Sequence, residues 1–255
     1  MYTIVIIVIV VLIYSKIFQN QMKLYFYQLV PFVNNILQPV SFKKRKILII
    51  TTEDRKDSYI KLHDISFNNY CTKHGYHYIR SDNCPKEQAT TYWCKIHKVL
   101  EYINDYDYVM WADSDTIITQ KDYLIDTFIS EKGEPDIIIG TDNNRVNSNG
   151  FNAGLFLIKN SPIGRSFLKE CITSVAEITG CIKDGKERGI WAGSCYEQGV
   201  MNLLIRQKYH DYTYVDTTGE LFWSMNTKEY NGPQGVFMHL FDIKEGLDVI
   251  FKKYI

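Results

Sequence analysis

Tyr108-Val109-Met110-Trp111-Ala112-Asp113-Ser114-Asp115-Thr116 is an apolar run that ends abruptly in two carboxylates. The run is short, β-branched and aromatic, and bounded by polar residues, which reads as a buried parallel strand. Asp113 and Asp115 then fall at the strand's carboxyl end, where open α/β sheets bind their ligands. Two hard oxygen donors there suit Mg²⁺ or Mn²⁺, and such a cation usually arrives carrying a substrate's phosphates. A strand that runs into a solvated acidic turn has the same pattern, so an isolated Asp-x-Asp does not decide the chemistry alone.

Working upstream, Trp93, Ile96, Val99, Leu100 and Ile103 fall at helical spacing, in a helix that leads directly into this strand. Before it, Ile47-Leu48-Ile49-Ile50-Thr51-Thr52 reads as a buried strand, followed by the polar turn Glu53-Asp54-Arg55-Lys56. A helix is predicted over 58–74 with Gly75 at its C′ position, and then a strand over 76–79. This βαβ opening implies a right-handed crossover. Downstream, strands are predicted over 136–140 and 154–158, the second preceded by a loop over 147–152. Ser161-Pro162 has the form of an N-cap with Pro at N1, opening a helix to about residue 175. Glu197 begins a helix carrying Val200, Leu203 and Leu204, and strands follow over 212–215 and 235–240. Strands alternate with helices, so the expected fold class is α/β with a mostly parallel central sheet flanked by helices.

A chain of 255 residues builds one sizeable α/β domain or at most two small ones. Formal net charge is zero, so there is no general electrostatic grip on nucleic acid, and no nucleic-acid partner is expected. The dense basic cluster Lys43-Lys44-Arg45-Lys46 reads as a solvated linker end, with a nuclear-localisation patch the alternative. The 19 tyrosines suit a polar-rimmed site that stacks on sugars or bases. Six cysteines show no Cys-x-x-Cys pair, which disfavours structural zinc; their even number permits disulfides without requiring them. The absence of any Asn-x-Ser/Thr sequon disfavours a heavily glycosylated lumenal protein. The redox compartment stays open at this level.

Residues 3–13 are apolar, and the pattern resumes at Ile17-Phe18 after Tyr14-Ser15-Lys16. Residues 1–18 are just long enough to span a bilayer if Lys16 snorkels, and neither a basic n-region nor a small-x-small cleavage site is visible. The expectation is an uncleaved transmembrane signal-anchor over 1–18, a stem over 19–45 interrupted by Pro31 and Pro39, and a globular domain over 46–255. Lys16, Lys23 and the 43–46 cluster lie C-terminal to the span, which by the positive-inside rule keeps the domain cytosolic.

Six stretches resemble one family. They are Tyr70-Cys71-Thr72-Lys73-His74-Gly75-Tyr76, Trp93-Cys94-Lys95 with its helix, and Trp111-Ala112-Asp113-Ser114-Asp115. Gly150-Phe151-Asn152-Ala153-Gly154-Leu155-Phe156-Leu157-Ile158-Lys159-Asn160, the Glu197-Gln198 helix start, and Met238-His239-Leu240-Phe241-Asp242-Ile243-Lys244 complete the set. In this order, from about 46 to 245, the chain resembles glycosyltransferase family 34, the galactosyl-, xylosyl- and mannosyltransferase group with a GT-A fold. The resemblance implies a retaining transfer of a hexose or pentose from a nucleoside-diphosphate sugar to a glycan or glycoprotein, with UDP-galactose the first candidate donor and GDP-mannose the next. It implies Mn²⁺ or Mg²⁺ held by Asp113, Asp115 and His239, and diphosphate contact by Lys244. It also implies a Golgi or ER lumenal domain, against the charge rule above.

On the same resemblance Asn152 and Gly154 would orient the donor sugar, and Ser114 and Lys95 would reach the donor. Thr51, Thr52 and Asp54 would border base and ribose. Glu197 and Gln198 are the candidates to steady an oxocarbenium-like centre on the face opposite the leaving group. Each has a plain alternative: a turn-forming Asn, a helix-start carboxylate placed by the helix dipole, a solvated lysine, a satisfied buried histidine. Tyr196 stands where the family has a second acid, and Asp242 where it usually has Gly. These departures keep alive a membrane-anchored, catalytically inactive glycan- or partner-binding protein. A haloacid-dehalogenase-like phosphatase is the remaining alternative. It wants Thr or Val where Ile117 stands, and it wants the acidic motif near the domain start.

Overall fold

Along β3 (Tyr108–Ala112) every residue is buried, and its side chains alternate between two cores. Tyr108, Met110 and Ala112 face one core; Val109 and Trp111 face the other. The computed structural model describes residues 43–53, 55–84, 91–141, 150–177, 182–183, 186–187, 193, 195–241 and 246–255. Lys43–Ile255 forms one compact unit. The expected membrane span and the stem up to residue 42 lie outside the described residues, as do Asp54, Asp242 and Lys244. The 43–46 cluster is not wholly a solvated linker end: Arg45 is buried and pairs with Asp126 and Glu134, which ties it into the domain. Among the described residues no helix is long and apolar enough to cross a membrane.

The main sheet has six strands in the order β2-β1-β3-β6-β5-β9. These are β1 (Ile47–Thr52), β2 (His77–Ser81), β3, β5 (Ile137–Thr141), β6 (Phe151–Lys159) and β9 (Thr213–Asp216). β4 (Thr116–Ile118), β10 (Phe222–Asn226) and β11 (Phe237–Phe241) make a second sheet, and β7 (Ile182–Lys183) pairs with β8 (Lys186–Glu187) in a two-residue ribbon.

The helices are α1 (Ser58–His74), α2 (Cys94–Tyr102), α3 (Ile125–Glu131), α4 (Pro162–Glu177), α5 (Glu197–Leu204) and α6 (Leu247–Lys252). Phe67, Tyr70 and Cys71 of α1 and Phe128 and Ile129 of α3 fill one face of the main sheet. Ile96 and Val99 of α2, Phe167, Leu168 and Cys171 of α4, and Val200 and Met201 of α5 fill the other. Helix ends follow the expected chemistry. Gly75 takes the left-handed conformation (φ 71°) that closes α1, and the Ser161 hydroxyl accepts the Gly164 N–H at the start of α4.

Five of the six strands run in one direction, so the sheet is mostly parallel as the sequence leads one to expect, and a single strand is inverted. β1 runs parallel to both β2 and β3, and β5 to β9, but β6 is antiparallel to both β3 and β5. The inverted strand, β6, is the one that carries Phe151-Asn152-Ala153-Gly154, expected in part as a loop. The second sheet is also beyond the sequence reading. In it β11 lies between β10, to which it is parallel, and β4, to which it is antiparallel. Its underside is a third core of Ile117, Met225, Met238, Leu240, Leu247 and Phe251.

Candidate functional site

The two sheets meet at the acidic turn. Leaving β3, the Asp113 N–H donates to Gly154 O on β6, and the Thr116 N–H closes a turn on Asp113 O. Asp115 O accepts the Leu240 N–H, and β4 pairs with β11 so that Thr116 faces His239. A strand end in one sheet and a strand in the other therefore aim three donors at one point. Oxygens of Asp113 and Asp115 and a nitrogen of His239 lie within 4.8 Å of one another. His239 Nε2 is 3.2 Å from Asp115 Oδ1 and 3.6 Å from Asp113 Oδ2. Two carboxylates and one imidazole suit Mn²⁺ or Mg²⁺ by donor type.

Lys95 sits behind this group, nearly buried. Its ammonium is 3.2 Å from Asp113 Oδ1 and 3.0 Å from Glu197 Oε1, and it donates to Ala153 O at 3.2 Å. Burial alone would pull the Lys95 ammonium down, but Asp113 and Glu197 outweigh it and hold its pKa above the ordinary range. Burial raises the Asp113 carboxyl, yet the Lys95 ammonium, and after it the neighbouring His239, bring it below its usual value. Glu197 goes the other way: burial first, then the nearby Asp113 charge, push it up against the opposing pull of Lys95. Glu197 Oε2 is buried with no hydrogen-bond partner. The Lys95 ammonium thus sits between two of the site's carboxylates, Asp113 and Glu197.

Helix α5 is held to β6 by two amide side chains one turn apart. Gln198 Oε1 accepts the Ala153 N–H, while Asn202 takes the Phe151 N–H on Oδ1 and donates to Phe151 O, as a neighbouring strand would. This docking places Glu197, the first residue of α5, against Lys95.

On the other side, the Ser114 hydroxyl donates to Glu53 Oε2 at 2.5 Å and accepts from Arg55 Nη2 at 3.3 Å. Desolvation opposes ionisation of Glu53, but its bonds to Arg55 and Ser114 prevail and hold its pKa down at about 2. Glu53 and Arg55 were absent from the sequence candidates. Their place immediately after the buried strand β1, at the same sheet edge as Asp113, is the signal that could have found them.

The candidates thus divide. Asp113, Asp115, His239, Lys95, Glu197, Asn152 and Gly154 converge, with Gln198 and Ser114 at the edges. Thr51 is wholly buried in β1 with no hydrogen-bond partner for Oγ1, and Thr52 has partial exposure. The cysteines, left open by the sequence, are paired in part. Cys84 is disulfide-bonded to Cys94, next to Lys95; Cys195, two residues before Glu197, is disulfide-bonded as well.

Comparison with known proteins bears on family and fold. Residues 43–132 match the model of the galactosyl transferase GMA12/MNN10 family, the segment that carries β1 through the acidic turn. No curated protein matches the chain. Among solved structures, a glycosyltransferase involved in glycosylation of the major capsid of PBCV-1 superposes with a TM-score of 0.59 at 16% identity, over 81% of this chain and 99% of that one. Mouse xyloside xylosyltransferase 1 in its apo form gives a TM-score of 0.44 at 10% identity, over 76% of this chain and 96% of that one. The catalytic domain of Drosophila β1,4-galactosyltransferase 7, in complex with xylobiose, gives 0.41 at 10% identity, over 83% and 81%.

Proposed function

From the premise that the family match over residues 43–132 and the shared fold support a nucleotide-sugar-dependent glycosyltransferase, as the sequence resemblance implies, we propose a metal-dependent hexosyl or pentosyl transfer to a glycan or glycoprotein, with retention and with UDP-galactose as first donor candidate. The observation that carries it is the convergence of Asp113, Asp115 and His239 from two separate sheets. That donor set fits a divalent cation in charge and in ligand type. When bound, such an ion offsets the charge that gathers on a departing diphosphate.

The chain's own residues do the rest. Asp113, Asp115 and His239 hold the ion, and so fix where the diphosphate lies. Lys95 keeps Asp113 ionised and in place. Glu197 offers the unpartnered Oε2 to the sugar as positive charge develops at the anomeric carbon. Departing diphosphate and arriving hydroxyl share one face of the sugar, which leaves the opposite face to Glu197 and Gln198. The Glu53–Arg55–Ser114 cluster borders the turn from the β1 side and offers the nucleotide a cation and a hydroxyl. The disulfides support an oxidising compartment, hence a lumenal orientation for an anchored chain.

The test is donor hydrolysis and transfer by the purified chain with Mn²⁺ and a panel of nucleotide sugars. Turnover that is lost in Asp115→Asn supports the enzyme. Silence across all donors favours the glycan-binding alternative, and covalent phosphate on Asp113 the phosphatase.

A further inference from the structure

The Asn152-Ala153-Gly154 segment of β6 touches His239, Asp113, Lys95 and Gln198 through atoms that no donor is needed to engage. Asn152 is 6% exposed. Its Oδ1 accepts the Gly154 N–H at 2.8 Å and lies 3.0 Å from His239 Nδ1. A backbone N–H can only donate, so the side-chain atom it meets is the amide oxygen and not the nitrogen. That oxygen can only accept, so Nδ1 of His239 carries a proton. In a neutral imidazole the lone pair then sits on Nε2, the nitrogen that faces Asp113 and Asp115. Gly154 contributes space. A Cβ there would lie 2.3 Å from both Nδ1 and Cε1 of the His239 ring, so any side chain at this position displaces the ring. The remaining polar backbone of the segment is occupied by the site itself: Gly154 O by Asp113, Ala153 O by Lys95 and Ala153 N–H by Gln198.

We propose that Asn152 and Gly154 are positioning residues for the metal histidine: Asn152 fixes the tautomer and orientation of His239, and Gly154 provides the gap in which the ring stands. The inference rests on the metal reading above and changes the role of both residues, from contacts to the donor sugar to supports of a ligand. Partners that hold the second nitrogen of a metal-bound histidine are worth roughly 10–100-fold in metal affinity.

Mn²⁺ titration of the full chain without any nucleotide sugar, followed by electron paramagnetic resonance of free Mn²⁺, separates the possibilities. Wild type and His239→Ala set the scale. Asn152→Ala and Gly154→Ala should each weaken Mn²⁺ binding by roughly 10–100-fold. Asn152→Asp keeps an oxygen for both donors and should bind within a few-fold of wild type. A residue that donates its amide N–H₂ to a sugar gives the opposite pattern, with Mn²⁺ affinity unchanged in Asn152→Ala and donor KM raised in Asn152→Asp. That result overturns the proposal and leaves the metal site standing. Failure of wild type to bind Mn²⁺ overturns both. As a check independent of metal and of variant folding, long-range ¹⁵N–¹H correlation in wild type, with His239 assigned by its loss in His239→Ala, should show the Nδ1–H tautomer. The Nε2–H tautomer refutes the role assigned to Asn152.

Discussion

Replacing Lys95 with Met keeps most of the side-chain volume and removes the ammonium between Asp113 and Glu197. Lys95 lies 3.2 Å and 3.0 Å from their oxygens, and only 6% of its surface is exposed. Removing one partner of a buried pair leaves an uncompensated charge, at a cost of about 3–5 kcal/mol. A domain of this size shifts its midpoint by roughly 2–4 °C per kcal/mol, so Lys95→Met should melt roughly 6–20 °C below wild type near pH 8 without metal. The sign with pH follows from Glu197, whose folded pKa already lies above its ordinary value. Between the unfolded and the folded pKa the native state binds the extra proton, so stability falls as pH rises through that window. Without Lys95 the carboxyl is raised further, so the deficit should shrink on acidification and be smaller near pH 5.5 than near pH 8. Saturating Mn²⁺ should restore part of it by replacing the lost positive charge beside Asp113. Thermal denaturation at both pH values, with and without Mn²⁺, is the assay. A deficit under ~2 °C near pH 8, or one that grows on acidification, refutes the view of Lys95 as the site's internal counter-charge.

Asp113→Ala, Asp115→Ala and His239→Ala should each lower turnover by several kcal/mol of transition-state stabilisation, about a thousandfold or more, with unchanged circular dichroism; normal rates in all three would remove the metal assignment. Glu197→Gln should lower kcat while leaving Mn²⁺ affinity near wild type, and a change confined to donor KM argues against its place at the anomeric carbon. Glu53, held at a pKa of about 2, contributes stability that is complete above its unfolded pKa and is lost as pH falls from there towards 2, so Glu53→Gln should flatten the loss of stability between pH 5 and pH 2 in chemical denaturation. Asn202→Ala leaves the Phe151 N–H and C=O without their α5 partner and should cost about 1–3 kcal/mol, measured by urea unfolding.

Local pattern carried much of the fold. β1, α1 with its Gly75 cap, the Ser161 cap of α4 and the strand into Asp113 are each written within a few neighbouring residues. The direction of β6 is not, because parallel and antiparallel buried strands share the same apolar run. The short stretch of sequence between the two apolar runs, residues 142–150, was the available clue. β4 was missed for a different reason. Its three residues are too few to show a period, and they become a strand only by pairing with β11, over a hundred residues away. The site follows the same division. Asp113 and Asp115 are adjacent in sequence and readable at once, and His239 entered through family resemblance. The support of His239 by Asn152 spans 87 residues and the Lys95 bridge joins α2, β3 and α5, so neither has a local signature.

The order β10-β11-β4 has a consequence for assembly. Among the described residues β11 is the one strand that pairs with β4, so the short segment that follows the acidic turn gains its strand pairing only once β11 is in place. During synthesis both aspartates emerge long before His239, and a ribosome-bound chain that has not yet exposed residue 241 possesses the acidic turn but no closed chelate. A divalent ion held by these three residues would act on the finished molecule as a clasp between its early and late halves. Its binding should slow global unfolding and not merely local fraying of the turn.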